Sequence, residues 1–231
     1  MAGRLLSLLA EGPRLIASLP GNSAELARAA AEGGAEALKV HLQVTHTASG
    51  TRFGSLEEER ADLEAILAVG LPTGVVPGTA ESLPTREEMR ELARMGLDFF
   101  DLFARDMPAW MMSRQGMTCA AAIDAGTGMD FVGELEGLGI EMIEAAVVPA
   151  EGYGRAVCAA DLVKYRLIRR ATRLPIIVPT ERAIAPEDLP VLIGDIGLNA
   201  VMIGAVVTGR EATSLEAATG RFARALASLR D

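Results

Sequence analysis

One pattern constrains this chain more than any other. Short apolar runs rich in Val, Ile, Ala and Phe alternate along it with longer, charged segments of helical period. The runs are Arg14–Leu19, Ala37–Val44, Thr73–Pro77, Leu97–Phe103, Thr118–Asp124, Glu141–Val148, Pro175–Pro179 and Asn199–Gly204. Such alternation reads as βαβ units, with parallel strands inside and helices outside. Eight runs in 231 residues give about 29 residues per unit, the spacing of a (β/α)8 TIM barrel, whose typical total is ~250 residues. The expected fold is α/β, one barrel domain over residues 1–231. The competing architecture is an open doubly wound sheet. Its glycine fingerprint is missing: Leu19-Pro20-Gly21-Asn22 follows the first run instead of G-x-G-x-x-G.

Helix signals fit the same count. Helical patterns cover Ser23–Glu32, Leu56–Val69, Arg86–Met95, Ala160–Thr172, Pro186–Ile193 and Leu215–Leu229. Asn22 or Ser23 caps the first, and Ser55 with Glu58 forms a capping box, a device that Thr213 and Glu216 repeat. Pro186 suits a first helical turn, where its missing N–H is no loss. Gly33-Gly34, Gly70, Gly96, Gly116, Gly139 and Gly197 fall between helix and next strand, where helices commonly end in a left-handed residue.

Charge and composition narrow the partners. There are 22 basic and 31 acidic residues, for a net charge of −9. That balance offers no overall attraction to nucleic acid or an anionic membrane. The leucine-rich opening is interrupted by Glu11 and Arg14, and reads as a short helix or cap before the first strand rather than a leader. No run approaches the ~18 apolar residues of a membrane span, so a cytoplasmic protein is expected. Cys119 and Cys158 suggest neither zinc nor disulfide scaffold. Only Lys39 and Lys164 are lysines and only His41 and His46 are histidines, so three of these four scarce residues lie within eight positions.

In a barrel, chemistry belongs at the C-terminal strand ends and the loops beyond them. Strand alternation over Ala37–Val44 sends Leu38, Val40 and Leu42 toward the helices, and Ala37, Lys39, His41 and Gln43 inward. Three inward polar residues in succession point to a reaction centre; the structural alternative is a buried network with Lys39 paired to an acid such as Glu144. The following loop, Thr45 to Gly54, is long and polar, a length associated with ligand covering. It offers His46 and Arg52 to a substrate, although a solvated excursion has the same composition. Asp101, Asp124 and Glu144 supply acids at other strand ends, whereas Asp98 lies at the start of its strand. Lys39 suits a carbonyl clamp, a proton donor or an imine, and His41 suits proton transfer near neutral pH. No metal spacing motif such as H-E-x-x-H occurs, and no metal or other cofactor is expected.

The stretch LPIIVPTERAIAPEDLPVLIGDIGLNAVMIGAVVTG resembles the last two units of the ribulose-phosphate-binding (β/α)8 barrels. GNSAELARAAAEGGAEALKVHL resembles their first. That superfamily includes the tryptophan- and histidine-biosynthesis barrels, the N-acylmannosamine-phosphate epimerases and the ribulose-phosphate epimerases. The resemblance implies a phosphate on backbone amides after strands seven and eight, here Thr180, Arg182 and Ala183, and Gly204 and Ala205. This chain departs from the pattern after strand seven, where Glu181 repels phosphate unless turned away and Arg182 compensates. Against a ribulose-phosphate epimerase, Gln43 replaces an acid and strand seven lacks an aspartate; D-x-K-x-x-D and a strand-three lysine are also absent. The resemblance implies a metal-independent isomerase or lyase of a small phosphorylated sugar or related metabolite. Lys39, His41, Asp101, Asp124 and Glu144 are its candidate catalytic groups, and Gln43, His46 and Arg52 its substrate contacts. A non-catalytic phosphate-ligand barrel and a structural or assembly protein are the alternatives, and homo-oligomerisation stays open.

Overall fold

The computed structural model describes residues 3–112 and 115–230. Its strands are β1 (Arg14–Ser18), β2 (Ala37–His41), β3 (Thr73–Val76), β4 (Phe99–Phe103), β5 (Thr118–Ile123), β6 (Met142–Ala145), β7 (Ile176–Pro179) and β8 (Ala200–Ile203). Each pairs in parallel with the next, and β8 pairs back to β1, closing the barrel. All eight expected runs are strands, each trimmed at one or both ends.

The helices are α1 (Arg4–Glu11), α2 (Ala24–Glu32), α3 (Leu56–Leu67), α4 (Arg86–Met95), α5 (Met129–Glu134), α6 (Ala159–Ala171), α7 (Ala205–Thr208) and α8 (Ala212–Ala227). Ser23 caps α2, and the box of Ser55 and Glu58 closes the first turn of α3. Thr85 and Glu88 build another box on α4. Thr213 and Glu216 do not: α8 already begins at Ala212, behind Glu211, so Thr213 is inside the helix. The helix expected over Pro186–Ile193 is instead a 3-10 turn, Pro186–Asp188, followed by a π-helical turn, Pro190–Asp195. Pro190 has no N–H to donate to the preceding turn, so a regular α-helical ladder cannot run through it.

The barrel interior is filled in two zones. Toward the N-terminal ends, Ile16, Ala37, Phe99, Ala120, Met142, Ile177, Ala200 and Met202 pack with Leu5 and Leu9 of α1. This helix plugs the bottom of the barrel. Asp98 holds it there, its two carboxylate oxygens accepting the N–H groups of Arg4 and Leu5 at 2.7 and 2.8 Å. Gly74 has a packing reason: a Cβ there would lie 2.1 Å from the Phe99 ring, so only glycine leaves the ring room. The outward faces of the strands form the larger core with the helices, including Leu38, Val40, Leu42, Val178 and Ile203. Both cysteines are free. Among the described residues, no helix is long and apolar enough to cross a membrane.

Candidate active site

The second interior zone is polar and opens at the C-terminal strand ends into a cavity of about 260 Å³. Its floor is an ion network. Lys39 on β2 donates from Nζ to Asp101 Oδ2 on β4 at 3.0 Å and to Glu144 Oε2 on β6 at 2.5 Å. All three side chains are buried. The neighbouring strands present small residues at the same level, Gly74 in register with Lys39 and Ala122 in register with Glu144. An ammonium has three donors, so one remains for a ligand after the two carboxylates are served.

These charges decide each other's protonation. Burial pulls Lys39 toward neutrality, but the charges of Glu144 and Asp101 and their hydrogen bonds outweigh it, and its pKa rises. Lys39 is an ammonium at neutral pH. Burial and the adjacent Asp101 charge push Glu144 well above the usual carboxylate range, against the pull of Lys39. In this buried set of one cation and two carboxylates, Glu144 is the acid pushed toward its protonated form.

His41 stands one inward position above Lys39 and is 2 % exposed. Asn22 grips its backbone on both sides: Nδ2 donates to the His41 carbonyl at 2.8 Å, and Oδ1 accepts the His41 N–H at 3.3 Å. The ring lies against His46, centroids 4.5 Å apart, and Phe53, at 4.9 Å. Burial, then the charges of His46 and Lys39, hold His41 far below the ordinary histidine value. Burial and Lys39 lower His46 to about 4. Both imidazoles are therefore neutral at pH 7. His41 Nδ1 and Asp101 Oδ1 are buried without a hydrogen-bond partner.

The long loop after β2 folds over the site as a small hairpin. Thr45 bridges Arg52, the Phe53 N–H donates to Val44 at 2.8 Å, and the His46 N–H donates to Thr51 at 2.9 Å. Val44, Thr45, His46, Thr47 and Ala48 line the cavity. His46 is braced by Ser49, Nδ1 to Oγ at 2.9 Å.

The expected site residues divide. Lys39, His41, Asp101, Glu144, His46, Thr180 and Gly204 converge on the cavity. Gln43, Arg52, Asp124, Arg182, Ala183 and Ala205 do not line it. β2 ends at His41, and Gln43 takes a left-handed φ of +54° at the corner, where alternation no longer sets side-chain direction. Arg52 is exposed on the outer arm of the hairpin. Asp124 closes its own turn, accepting from Gly126 N–H and Thr127, and pairs with Arg105.

The loop after β7 reverses the expected orientation of its charges. Glu181 turns in and lines the cavity, where Oε2 accepts the Val148 N–H at 2.9 Å and Oε1 the Tyr153 hydroxyl at 2.7 Å. Arg182 turns away, donating to Asp161 and to the Gly152 carbonyl, each at 2.9 Å. Backbone amides expected to meet a phosphate have other partners: Ala183 N–H donates to Arg155 O and Gly204 N–H to Thr180 Oγ1, both at 2.9 Å. Tyr153 and Asp106 also line the cavity. Neither stood out in the sequence, although the long segment between β6 and α6 that carries Tyr153 was a signal of the kind that marked the loop after β2.

No family model matches the chain, and no curated protein does. Solved structures do. A Mycobacterium tuberculosis tryptophan synthase chain matches with a TM-score of 0.75 at 15% identity, over 98% of this chain and 99% of that one. The tryptophan synthase alpha-subunit of Pyrococcus furiosus, as an E244A mutant, matches with a TM-score of 0.71 at 16% identity, over 91% of this chain and 98% of that one. The shared fold is the closed eight-stranded (β/α)8 barrel. At this identity the likeness concerns the fold, which says where a site lies and not what it does.

Proposed function

We propose that this barrel is an isomerase or lyase that moves a proton beside a carbonyl group of a small metabolite. The observation that carries the reading is the buried Lys39–Asp101–Glu144 set under the partnerless Nδ1 of His41. An ammonium is no nucleophile, so Lys39 acts through its charge and its free donor rather than as an imine. It holds the carbonyl oxygen and stabilises the negative charge that collects there when the neighbouring carbon loses its proton. Asp101 keeps Lys39 charged. Glu144, whose raised pKa favours its protonated form, serves as the general acid. Neutral His41 has one ring nitrogen to accept a proton and one to donate. Returning the proton to the adjacent carbon isomerises the substrate; giving it to a leaving group while a carbon bond breaks completes a lyase step.

The resemblance implies a phosphorylated form of that metabolite. Thr180 and Gly204 line the cavity, but the Gly204 N–H is taken by Thr180 Oγ1, and Arg182 and Ala183 are engaged elsewhere. That same loop favours the second reading, a barrel that binds a ligand without turning it over.

The experiment is carbon-bound hydrogen exchange in D2O, followed by NMR, on small aldoses and ketones both free and phosphorylated. Exchange above the buffer rate is expected, falling on the order of 10²-fold or more in Glu144→Gln. Ligand-induced stabilisation with no exchange in any compound supports the binding barrel and overturns the catalytic reading.

A further inference from the structure

The cavity wall formed by the loops after β6 and β7 is built for a different group from the one the fold leads one to expect. We propose that the end of the substrate remote from Lys39 carries a protonated amine, seated on the Glu181 carboxylate, rather than a phosphate. The inference rests on the reading above only in assigning the carbonyl end to Lys39.

The charge of the wall is the first argument. Among the described residues lining the cavity, Lys39 is the one permanent cation, against Asp101, Asp106, Glu144 and Glu181. The single positive charge is spent on Asp101 and Glu144. Arg182, the cation best placed in sequence to meet a phosphate, is committed to Asp161 behind the wall. A phosphate dianion entering here meets carboxylates in a medium where like charges repel far more than in water.

The build of Glu181 is the second. It is only 8 % exposed, yet it faces a cavity. Each oxygen accepts one bond from the protein, from Val148 N–H and from the Tyr153 hydroxyl, which fixes the carboxylate in place. An ionised carboxylate oxygen accepts two bonds, so each keeps a lone pair for a donor supplied from the cavity. At the Lys39 end of the same cavity, Asp101 Oδ1 and His41 Nδ1 are buried without a partner, so the protein does not complete the cavity's polar lining by itself. A buried acceptor left without a donor is costly, and an ammonium group offers three donors with the charge the wall lacks.

Three compounds on one small carbonyl frame isolate the end group: aminoacetone, hydroxyacetone and dihydroxyacetone phosphate. Binding to the full chain is measured by calorimetry at matched ionic strength and without turnover. Aminoacetone is expected to bind tightest and dihydroxyacetone phosphate weakest. Glu181→Gln, whose amide oxygen still accepts from Val148 N–H while its NH2 faces the Tyr153 hydroxyl, which can turn to accept, is expected to weaken aminoacetone by about tenfold or more and hydroxyacetone little. Should that variant fail to fold, the order of the three compounds on the unaltered protein still decides. Tighter binding of dihydroxyacetone phosphate than of aminoacetone, or an unchanged aminoacetone affinity in a folded Glu181→Gln, overturns the proposal. Neither result bears on Glu144-dependent exchange, so the two readings fail separately.

Discussion

Lys39 and Glu144 meet across the barrel, Nζ to Oε2 at 2.5 Å, although they belong to strands four apart in the sheet. Buried pairs of this kind are weak evidence of added stability, but breaking one from a single side is costly. Lys39→Met leaves Asp101 and Glu144 facing each other with no counter-charge. The expected loss is about 3–5 kcal/mol in urea unfolding at neutral pH. Adding Glu144→Gln replaces one of the two facing acids with a neutral amide and should restore most of that loss while leaving hydrogen exchange abolished. A double variant no more stable than Lys39→Met would show that the pair is not coupled.

The two histidines make stability depend on acid. Both are neutral in the fold, with His46 at about 4 and His41 held well below its ordinary value, while an unfolded chain has them near 6.5. Between those values the unfolded state binds more protons, so stability rises with pH. Their contribution is complete above about pH 6.5 and is lost as pH falls toward 4, by up to about 1.4 kcal/mol per pH unit for each histidine. Glu144 works in the opposite direction, because its raised pKa favours the fold at low pH and that contribution is lost as pH rises. The measurement is therefore best made in Glu144→Gln, comparing thermal midpoints from pH 7 to pH 4.5 with and without His46→Asn. Parallel curves would exclude His46 as a source of the acid sensitivity.

The plug at the other end of the barrel separates stability from chemistry. Leu5 is fully buried in a cluster with Ile16, Phe99 and Met142, which lie one inward position below the level of Lys39, Asp101 and Glu144. Leu5→Ala removes that packing and opens a void, at an expected cost of about 2–5 kcal/mol. Binding of aminoacetone and the rate of exchange should be unchanged at a temperature where the variant is folded. A change in either would mean that the two interior zones are mechanically linked.

The sequence disclosed what depends on period and little of what depends on where a loop turns. All eight strands were legible because apolar alternation survives in a closed sheet, and inward parity placed Lys39 and His41 on one wall. Asp101 and Glu144 stand out as acids near strand ends and line the cavity, whereas Asp124, which stands out on the same ground, does not. Parity ends with the strand, and that is where the reading of Gln43 and Arg52 stopped agreeing with the fold. The direction of Glu181 and Arg182 was inverted for a related reason. An Arg182–Asp161 pair and a Tyr153–Glu181 bond join residues 21 and 28 positions apart, and no local pattern encodes such partners. Tyr153 was invisible because a lone tyrosine in a loop has no period at all.

Asn22 offers the sharpest test of how the site is held. It does not line the cavity; it brackets the His41 backbone and donates to Glu59 Oε2 at 2.9 Å. Glu59 Oε1 in turn accepts the Gly54 N–H at 2.8 Å, at the foot of the hairpin that carries His46 and Phe53. One side chain thus fixes both the end of β2 and the base of the loop above it. Asn22→Ala leaves the His41 backbone groups and one Glu59 oxygen without this partner, at an expected cost of about 1–3 kcal/mol. A role in positioning predicts more than lost stability: kcat for exchange should fall while KM changes little, because the Lys39 clamp and Glu181 are untouched. Asn22→Asp keeps the acceptor for the His41 N–H, but removes the donor and places a second carboxylate beside Glu59. It should be at least as impaired as Asn22→Ala. If Asn22→Ala loses stability with kcat unchanged, Asn22 is a structural fastener only, and the aim of His41 is set by Phe53 and the strand itself.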